Sequence, residues 1–543
     1  MFLTPHFLPC VLPPKPWNIL RRHGKHPVIR GGYHTLDVKR RYNFVRGRAT
    51  SGWAAEHLRL LSQGHIPDVF AAVNAVQSTA WKINRRVYDV LKPITPETIR
   101  VRMLDTDTER RWEVEVSNPT FRALAIAERF LDDAAIYFPH TLQVSGRLQP
   151  GPVDLNPNGN DAVKALLTFA HGKPLKTQEA ADALAVHGAN CFGGVKGAAG
   201  GKPTLVERIA WVKEHEQGIL AIARDPNAHS VVKESASDPW QFLAFCFEWE
   251  GYTRDGLRFV SSLPVTADGT CSGLQHLSVM LRDEEGGRET NLVPSDAPQD
   301  LYRTIAEKVG MPREQVKPPV MVYLYGEGPK SRREKFMQGG MTKAEAAIAE
   351  RKVLAAIKST VGEAAKVMDW LQDIARRSAD RDRPMHWQTP AGLPVWLIKG
   401  EEESVRFDME AGEIRKALWF KLPKADSEGV AIPDKDDMVT GITAIFVHSM
   451  DAAHLMLTMA EAWRAGMRSL TTVHDNFGTV AADAPKLWRI LREQFVAMYE
   501  KHDVLAELRA QLNAACPELD IPAPPEHGKL NLQGVKQSKY FFS

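Results

Sequence analysis

The chain is short of several things, and each shortage narrows what it can be. Its five cysteines, Cys10, Cys191, Cys246, Cys271 and Cys516, are odd in number and scattered, with no C-x-x-C pair. That usage fits a reducing compartment and argues against a disulfide framework or structural zinc. No run of 18 or more apolar residues occurs, so no membrane span is expected. Charge of one sign is barely in excess, since Lys+Arg 69 against Asp+Glu 66 leaves +3. Net charge therefore neither demands nor excludes a nucleic-acid partner, and any basic groove must be local. No internal repeat or low-complexity tract is evident. The first 36 residues lack Asp and Glu but hold Lys15, Arg21, Arg22, Lys25 and Arg30. That outwardly resembles a transit peptide, but Leu12-Pro-Pro-Lys-Pro-Trp17 and Gly31-Gly32-Tyr33 are expected to lie inside the folded chain, with a flexible proline-rich arm as the alternative.

What is present is a globular composition, 44% hydrophobic and 25% charged, in 543 residues, long enough to divide into several domains. A short β-type run from Pro264 ends on Asp268, and Gly269 then lets another backbone or a ligand come close. Far downstream, Thr471 to Val473 leads into His474-Asp475-Asn476 and resumes after Gly478, a β-hairpin with acids at its tip. Either acid alone reads as a turn residue. Two acids at strand ends, however, are what a two-metal phosphoryl-transfer site needs, because Mg²⁺ prefers carboxylate oxygen and a pair of ions can hold both the attacking and the leaving oxygen.

Between the acids, Arg313 and Lys317 are four apart and share a helix face, and Tyr325 falls two turns on along roughly that face. The plain alternatives are a solvated face and a core tyrosine. Pro318-Pro319 disfavours αR geometry at Lys317, so the helix is expected to begin at the prolines with Lys317 at its N-cap, a place that also favours phosphate.

Elsewhere the spacing predicts a helix from residue 67 to 91, short β pieces over 92–117, and helices over 121–138, 180–191, 205–223, 297–309 and 341–380. A hairpin is expected through Pro390-Ala391-Gly392, and a charged, turn-rich stretch over 400–440. The run GGVKGAAGGKP reads as a surface loop, because no GK[ST] follows a strand.

Four ordered strings carry a family resemblance. ADGTCSGLQHLSVMLRDEEGGRETNL, R-x-x-x-K-x-x-V-M-x-x-x-Y-G, IFVHSMDAAHL and VHDNFGT resemble motif A, motif B, the histidine segment before motif C, and motif C of the single-subunit RNA polymerases of bacteriophages and mitochondria. The likeness runs unevenly from about Leu8 to Tyr540-Phe541-Phe542-Ser543.

The resemblance implies a mixed, helix-rich α/β fold, a right hand of palm, fingers and reduced thumb. Its expected parts are an N-terminal remnant with connecting helix (1–91), the thumb (92–135), a first palm segment (136–299), the fingers (300–447) and a second palm segment (448–543). It implies DNA-templated RNA synthesis with two Mg²⁺ ions at Asp268, Gly269 and Asp475. Asp268, Asp475, Lys317 and Tyr325 are then catalytic. Arg313 and Lys317 hold the triphosphate, Tyr325 and His448 read the sugar, and Arg147, Lys164 and Lys196 contact primer and template. DNA template, nascent RNA and ribonucleoside triphosphates are the implied partners, with no membrane. The implied compartment is the cytoplasm of a bacterial host, with the mitochondrion as alternative. Most of the N-terminal domain of relatives is missing, so promoter recognition is expected to fall to a separate protein.

Two alternatives stay open. A related DNA polymerase typically carries Tyr after the motif A acid and Glu five residues after it, where this chain has Gly269 and Gly273; glycine leaves room for a ribose 2′-hydroxyl. A non-catalytic relic is suggested by Phe138 to Gln149, FPHTLQVSGRLQ, where relatives read F-P-Y-N-x-D-x-R-G-R-x-Y. Only Arg147 of its charged residues is kept, and Val195 stands for the usual Asp before Lys196.

Overall fold

The computed structural model describes residues 7–20, 28–34, 43–46, 59–61, 64, 66–106, 108–197, 201–228, 235–381, 383–397, 402–411, 414–424 and 434–543. Helices predominate and the strands are short, so the fold is of the expected mixed, helix-rich α/β class. Arg21, Arg22 and Lys25, and residues 198–200 of the glycine-rich run, lie outside the described residues.

Helix α1 (Pro67–Gln77) starts on a proline, whose missing N–H is harmless in the first turn. The helix expected to continue to residue 91 is interrupted by β1 (Trp81–Ile83), which pairs antiparallel with Leu167–Phe169. Trp81 and Ile83 alternate inward, and Asn84 then caps a fresh helix, Arg85–Leu91, by accepting from the Val87 N–H. β2 (Thr98–Leu104) and β3 (Arg111–Ser117) form a ribbon with Val101/Val114 and Met103/Trp112 on one face and Arg100/Glu115 and Arg102/Glu113 on the other. The helix expected over 121–138 spans Pro119–Ala127 plus one tight turn, and the chain is extended again at Ile136, which bridges to Trp81.

β4 (His140–Gln143) and β5 (Leu148–Pro150) form a hairpin whose turn carries Arg147. α2 (Asp161–Ala165), capped by Asn160, carries Lys164. α3 (Gln178–Phe192) matches expectation, whereas the helix over 205–223 is two, Leu205–Glu214 and Glu216–Arg224, jointed at His215. Next come β6 (Pro264–Asp268), α4 (Ser272–Met280), α5 (Leu301–Val309) and α6 (Arg313–Leu324).

α6 corrects the expectation at the prolines: the helix starts at Arg313 and both prolines lie inside it. Their missing N–H groups remove the bonds to the carbonyls four residues back. Tertiary contacts hold the turn, because Val316 and Val320 are fully buried and Arg313 is tied to Asp300.

Helix α7 (Pro329–Gln338) follows. The helix expected over 341–380 is α8 (Lys343–Thr360) and α9 (Gly362–Ala379), broken at Val361. β7 (Met385–Gln388) and β8 (Pro394–Leu397) make the predicted hairpin, with Gly392 at φ +81. The stretch over 400–440 is not turn-rich where described: β9 (Glu402–Ala411) and β10 (Ile414–Pro423) pair along their whole length. The alternation of Val405, Phe407 and Met409 with charged residues is a period-two signal that the charge count hid.

α10 (Lys435–Arg464) is, among the described residues, the one helix long and apolar enough to cross a membrane, and most of it is buried in protein against α1, α9 and α11 (Ala484–Lys501). Between α10 and α11 lie β11 (Leu470–Val473) and β12 (Asn476–Val480). The central sheet has the order β6–β12–β11. It runs between two apolar cores: Val265 and Val480 belong to one, Ala267 and Phe477 to the other.

Candidate active site

Along β6, Val265 and Ala267 are buried, and the strand delivers Asp268 at its end. Register puts Asp268 opposite Asn476, and the Gly269 N–H donates to the Asp475 carbonyl at 3.2 Å. β11 and β12 join through His474-Asp475, a two-residue turn that needs a positive φ, which His474 supplies at +57. The chain end pins the same corner. The Ser543 N–H donates to the Asp268 carbonyl at 3.2 Å, and the Thr270 hydroxyl donates to the Tyr540 carbonyl at 3.1 Å. Two carboxylates, roughly two hundred residues apart in sequence, thereby sit side by side.

They face a cavity of about 670 Å³. Its wall carries five cations, Lys164, Lys202, Arg208, Arg313 and Lys317, together with Tyr325. Arg313 Nε donates to Asp300 at 2.6 Å, and the Tyr302 ring lies 5.6 Å from the Arg313 guanidinium and 5.9 Å from the Lys317 ammonium. Arg208 donates to Asn190 at 2.9 Å. Arg313, Lys317 and Tyr325 all line this cavity, the first two from within α6 and Tyr325 from the residue that caps its end.

Electrostatics mark the acids. Asp268 opens on the cavity, and its carboxyl is held above the ordinary carboxylate range, first by the desolvation its surroundings impose and then by the negative charge of Asp475, with Lys164 and Lys317 pulling the other way. Burial raises the Tyr325 phenol above its ordinary range. Its ring lies against Gly273, where an added Cβ would stand 3.2 Å from the ring carbons, and 4.9 Å from the His448 ring centre. His448 is pushed down to about 3, by burial and then by Arg147, so it is neutral. Burial also lowers Lys202, with Asp300 opposing.

Not every expected residue reaches the cavity. His448 touches it only through Tyr325. Arg147 is outside, bonded to buried Asp451 by Nη2 at 2.9 Å and Nε at 3.2 Å. Lys196 is exposed and absent from the wall, whereas Lys202, six residues on at the end of the glycine-rich run, lines it. That run is therefore only partly a surface loop. Sequence reasoning also missed Asp300 and Asp451. Asp451 had one available signal, its place one helical turn after His448.

The donor set bears on what ion could sit here. Among the described residues no group of three or more His, Cys, Asp or Glu is arranged to hold a metal. Two carboxylates without nitrogen or sulfur suit a hard cation that keeps waters and takes further oxygens from a substrate. A cation would also relieve the repulsion that raises Asp268.

The model of the family described as DNA-dependent RNA polymerase matches residues 173–317 and 310–521. The DNA-directed RNA polymerase of Enterobacteria phage T3 is 32% identical over 648 aligned residues, covering 100% of this chain and 70% of that one. T7 RNA polymerase of Escherichia phage T7 is 30% identical over 649, covering 100% and 70%. The DNA-directed RNA polymerase 2B, chloroplastic/mitochondrial, of Nicotiana tabacum is 29% identical over 608, covering 99% and 56%. Among solved structures, the POL domain of Pol1 from M. smegmatis overlays at a TM-score of 0.34 with 14% identity, covering 82% and 68%, too loosely to bear on the fold. With the family model spanning most of the chain and the phage identity running its full length, the chain belongs to the DNA-dependent RNA polymerases of the single-subunit phage and organellar type.

Proposed function

We propose that the chain extends an RNA 3′ end on a DNA template by nucleotidyl transfer from ribonucleoside triphosphates. The observation that carries this is the β6–β12 pairing, which sets Asp268 beside Asp475 at the mouth of a cavity walled by cations.

Asp268 and Asp475, with Gly269 at the same corner, would hold two Mg²⁺ ions. Such ions, when bound, lower the pKa of the 3′-hydroxyl and neutralise charge on the leaving pyrophosphate. This chain's residues do the rest. Arg313 and Lys317, joined by Lys202, hold the triphosphate as fixed cations in a partly dehydrated wall, where their charge counts for more than in water. Tyr325, lodged between Gly273 and His448, meets the sugar, and neutral His448 backs the Tyr325 ring and acts through it. Lys164 lies near Asp268 and serves the primer side.

The palm would then be 136–299 with 448–543, the fingers 300–447 and the thumb 92–135, with residues 1–91 preceding them. The phage relatives support a bacterial host cell as the compartment.

The DNA polymerase alternative is disfavoured by Gly273. A glutamate there would collide with the Tyr325 ring, whose nearest atoms stand 3.2 Å from the site of a Cβ. The deciding experiment extends a labelled RNA primer on a DNA template with Mg²⁺ and either ribo- or deoxyribonucleotides. Ribonucleotide extension that disappears in Asp475→Ala supports the proposal. Preference for deoxyribonucleotides, or an Asp475→Ala rate within tenfold of the parent, sinks it. A parent that binds the duplex without extending it is a relic.

A further inference from the structure

Asn476 has no task in the reading above, although it opens β12 between Asp268 on β6 and Val473 on β11. The ladder fixes where its side chain goes. The Gly269 N–H bonds the Asp475 carbonyl, so Gly269 and Asp475 form a hydrogen-bonded pair, and the next pair along, Asp268 with Asn476, is non-hydrogen-bonded. Two residues further, Thr266 opposite Gly478 follows the same alternation: the Thr266 N–H turns away from β12 and donates to His187 Nδ1 at 3.4 Å. In a non-hydrogen-bonded pair the Cα atoms are about 4.5 Å apart and both side chains leave the same face of the sheet.

That face is the floor of the cavity, since Thr266, Asp268, Thr471, Val473 and Asn476 all line it. Around Asn476 the floor is apolar. Val473 flanks it on β11, and at Gly478 an added Cβ would stand 2.7 Å from Thr471 Cγ2 and 2.8 Å from Thr266 Cγ2, so methyl groups fill the place of a side chain there. Among the described residues no group is hydrogen-bonded to the Asn476 amide.

An amide offers two N–H donors and a carbonyl oxygen. A bond from its nitrogen to the facing Asp268 carboxylate is not made, which leaves the oxygen as the group with work to do. Hard divalent cations accept amide carbonyls beside carboxylates. A third carboxylate at this corner would add repulsion to two acids that already repel each other, whereas a neutral oxygen adds a donor and no charge. We infer that Asn476 supplies its Oδ1 as a third side-chain oxygen to a divalent cation held by Asp268 and Asp475.

The inference rests on the two-metal reading of this corner, and its test separates affinity from chemistry. Mn²⁺ is the probe, because it takes the same oxygen donors as Mg²⁺ and its free ion is counted by EPR. The chain is titrated without nucleotide or nucleic acid, and the binding that disappears in the double variant Asp268→Ala/Asp475→Ala defines the site. Asn476→Leu keeps the volume and removes the oxygen, while Asn476→Asp keeps an oxygen and adds charge.

Asn476→Leu should raise the Kd for Mn²⁺ about tenfold, with its melting temperature in EDTA within about 2 °C of the parent. Asn476→Asp should bind Mn²⁺ at least as tightly as the parent. The Mg²⁺ concentration for half-maximal primer extension should rise about tenfold in Asn476→Leu, with KM for nucleotide at saturating Mg²⁺ within about twofold. If Asn476→Leu does not fold, Asn476→Ala, which only shortens the side chain, takes its place. An Asn476→Leu chain with parental Mn²⁺ affinity overturns the inference: a raised nucleotide KM would then make Asn476 a substrate contact, and a lowered melting temperature would make it structural. A parent without Mn²⁺ binding attributable to the two acids overturns it as well. A parent that binds Mn²⁺ at the acids but extends no primer defeats the RNA-synthesis reading and leaves the affinity comparison standing.

Discussion

Gly273→Ala tests the sugar-reading corner most directly. The new Cβ would stand 3.2 Å from Tyr325 Cε1 and Cζ and 3.4 Å from its oxygen. Those distances are a few tenths of an ångström inside ordinary contact, so the ring must yield. It has little room, because His448 backs it at 4.9 Å between ring centres. Two terms then compete in stability. Alanine in the first turn of α4 gains about 0.5–1 kcal/mol over glycine, and overpacking a filled site costs about 1–3 kcal/mol. The net loss is about 0–2.5 kcal/mol, which leaves the enzyme folded at 25 °C. Activity should suffer more than stability, since a displaced ring blocks or misaligns the sugar. We expect kcat/KM for ribonucleotides to fall about tenfold, or about 1.4 kcal/mol, and the ratio of ribo- to deoxyribonucleotide use to change. Single-nucleotide extension with each substrate, beside a melting curve, reads both terms. A Gly273→Ala enzyme with parental kcat/KM and parental sugar ratio would refute the packing of Tyr325 against α4 as the source of selectivity.

Lys202→Ala should raise KM for nucleotide about tenfold, while Lys196→Ala stays within about twofold, as expected for one cation in the wall and one in solvent; equal effects would contradict the assignment. His454 is fully buried, donates to the Leu491 carbonyl at 2.9 Å, and is pushed down to about 4 by burial. The unfolded chain takes up this proton near pH 6.5 and the folded chain only near 4, so the stability is complete above 6.5 and is lost as pH falls through 4. The cost at pH 5 is about 2 kcal/mol. His454→Gln should remove it, and urea unfolding of both proteins at pH 5 and 8 isolates it from Asp268 and Asp451, whose raised values act in the opposite direction. Arg332 donates to Glu350 at 2.7 and 2.9 Å with both side chains buried. Glu350→Ala leaves that cation unpaired and should cost about 3–5 kcal/mol, whereas replacing both by apolar residues of similar size should be near neutral. A loss under about 1 kcal/mol in Glu350→Ala, measured by chemical unfolding, would show that water reaches the pair.

The acids were legible because a β-branched run ending on Asp and Gly is a local signal, and the structure returns β6, β11 and β12 at those places. The hairpin at Gly392 was legible for the same reason, its turn residue being forced by φ. Where tertiary packing decides, the sequence misled. Pro318-Pro319 marked a helix start by local sterics, yet buried Val316 and Val320 hold a full turn ahead of them. Trp81 and Ile83 fit a helical stripe as well as a strand, and only the partner at Leu167–Phe169 chooses between the two. Lys196 and Lys202 flank one glycine-rich run, and no spacing rule says which of them turns inward. Asp300 and Asp451 act through arginines far away or on another element, so they leave no mark in a one-dimensional pattern.

The sheet order β6–β12–β11 bears on how the site comes together in time. A pairing between segments this distant is a long-range contact, formed after the local helices between them and slow for that reason. Its entropic cost grows only with the logarithm of the intervening length, about 0.6 kcal/mol for each doubling. The helices hung between Asp268 and Asp475 can therefore lengthen or shorten at little cost to the meeting of the two acids, provided the five paired residues of β6 and β12 keep their register.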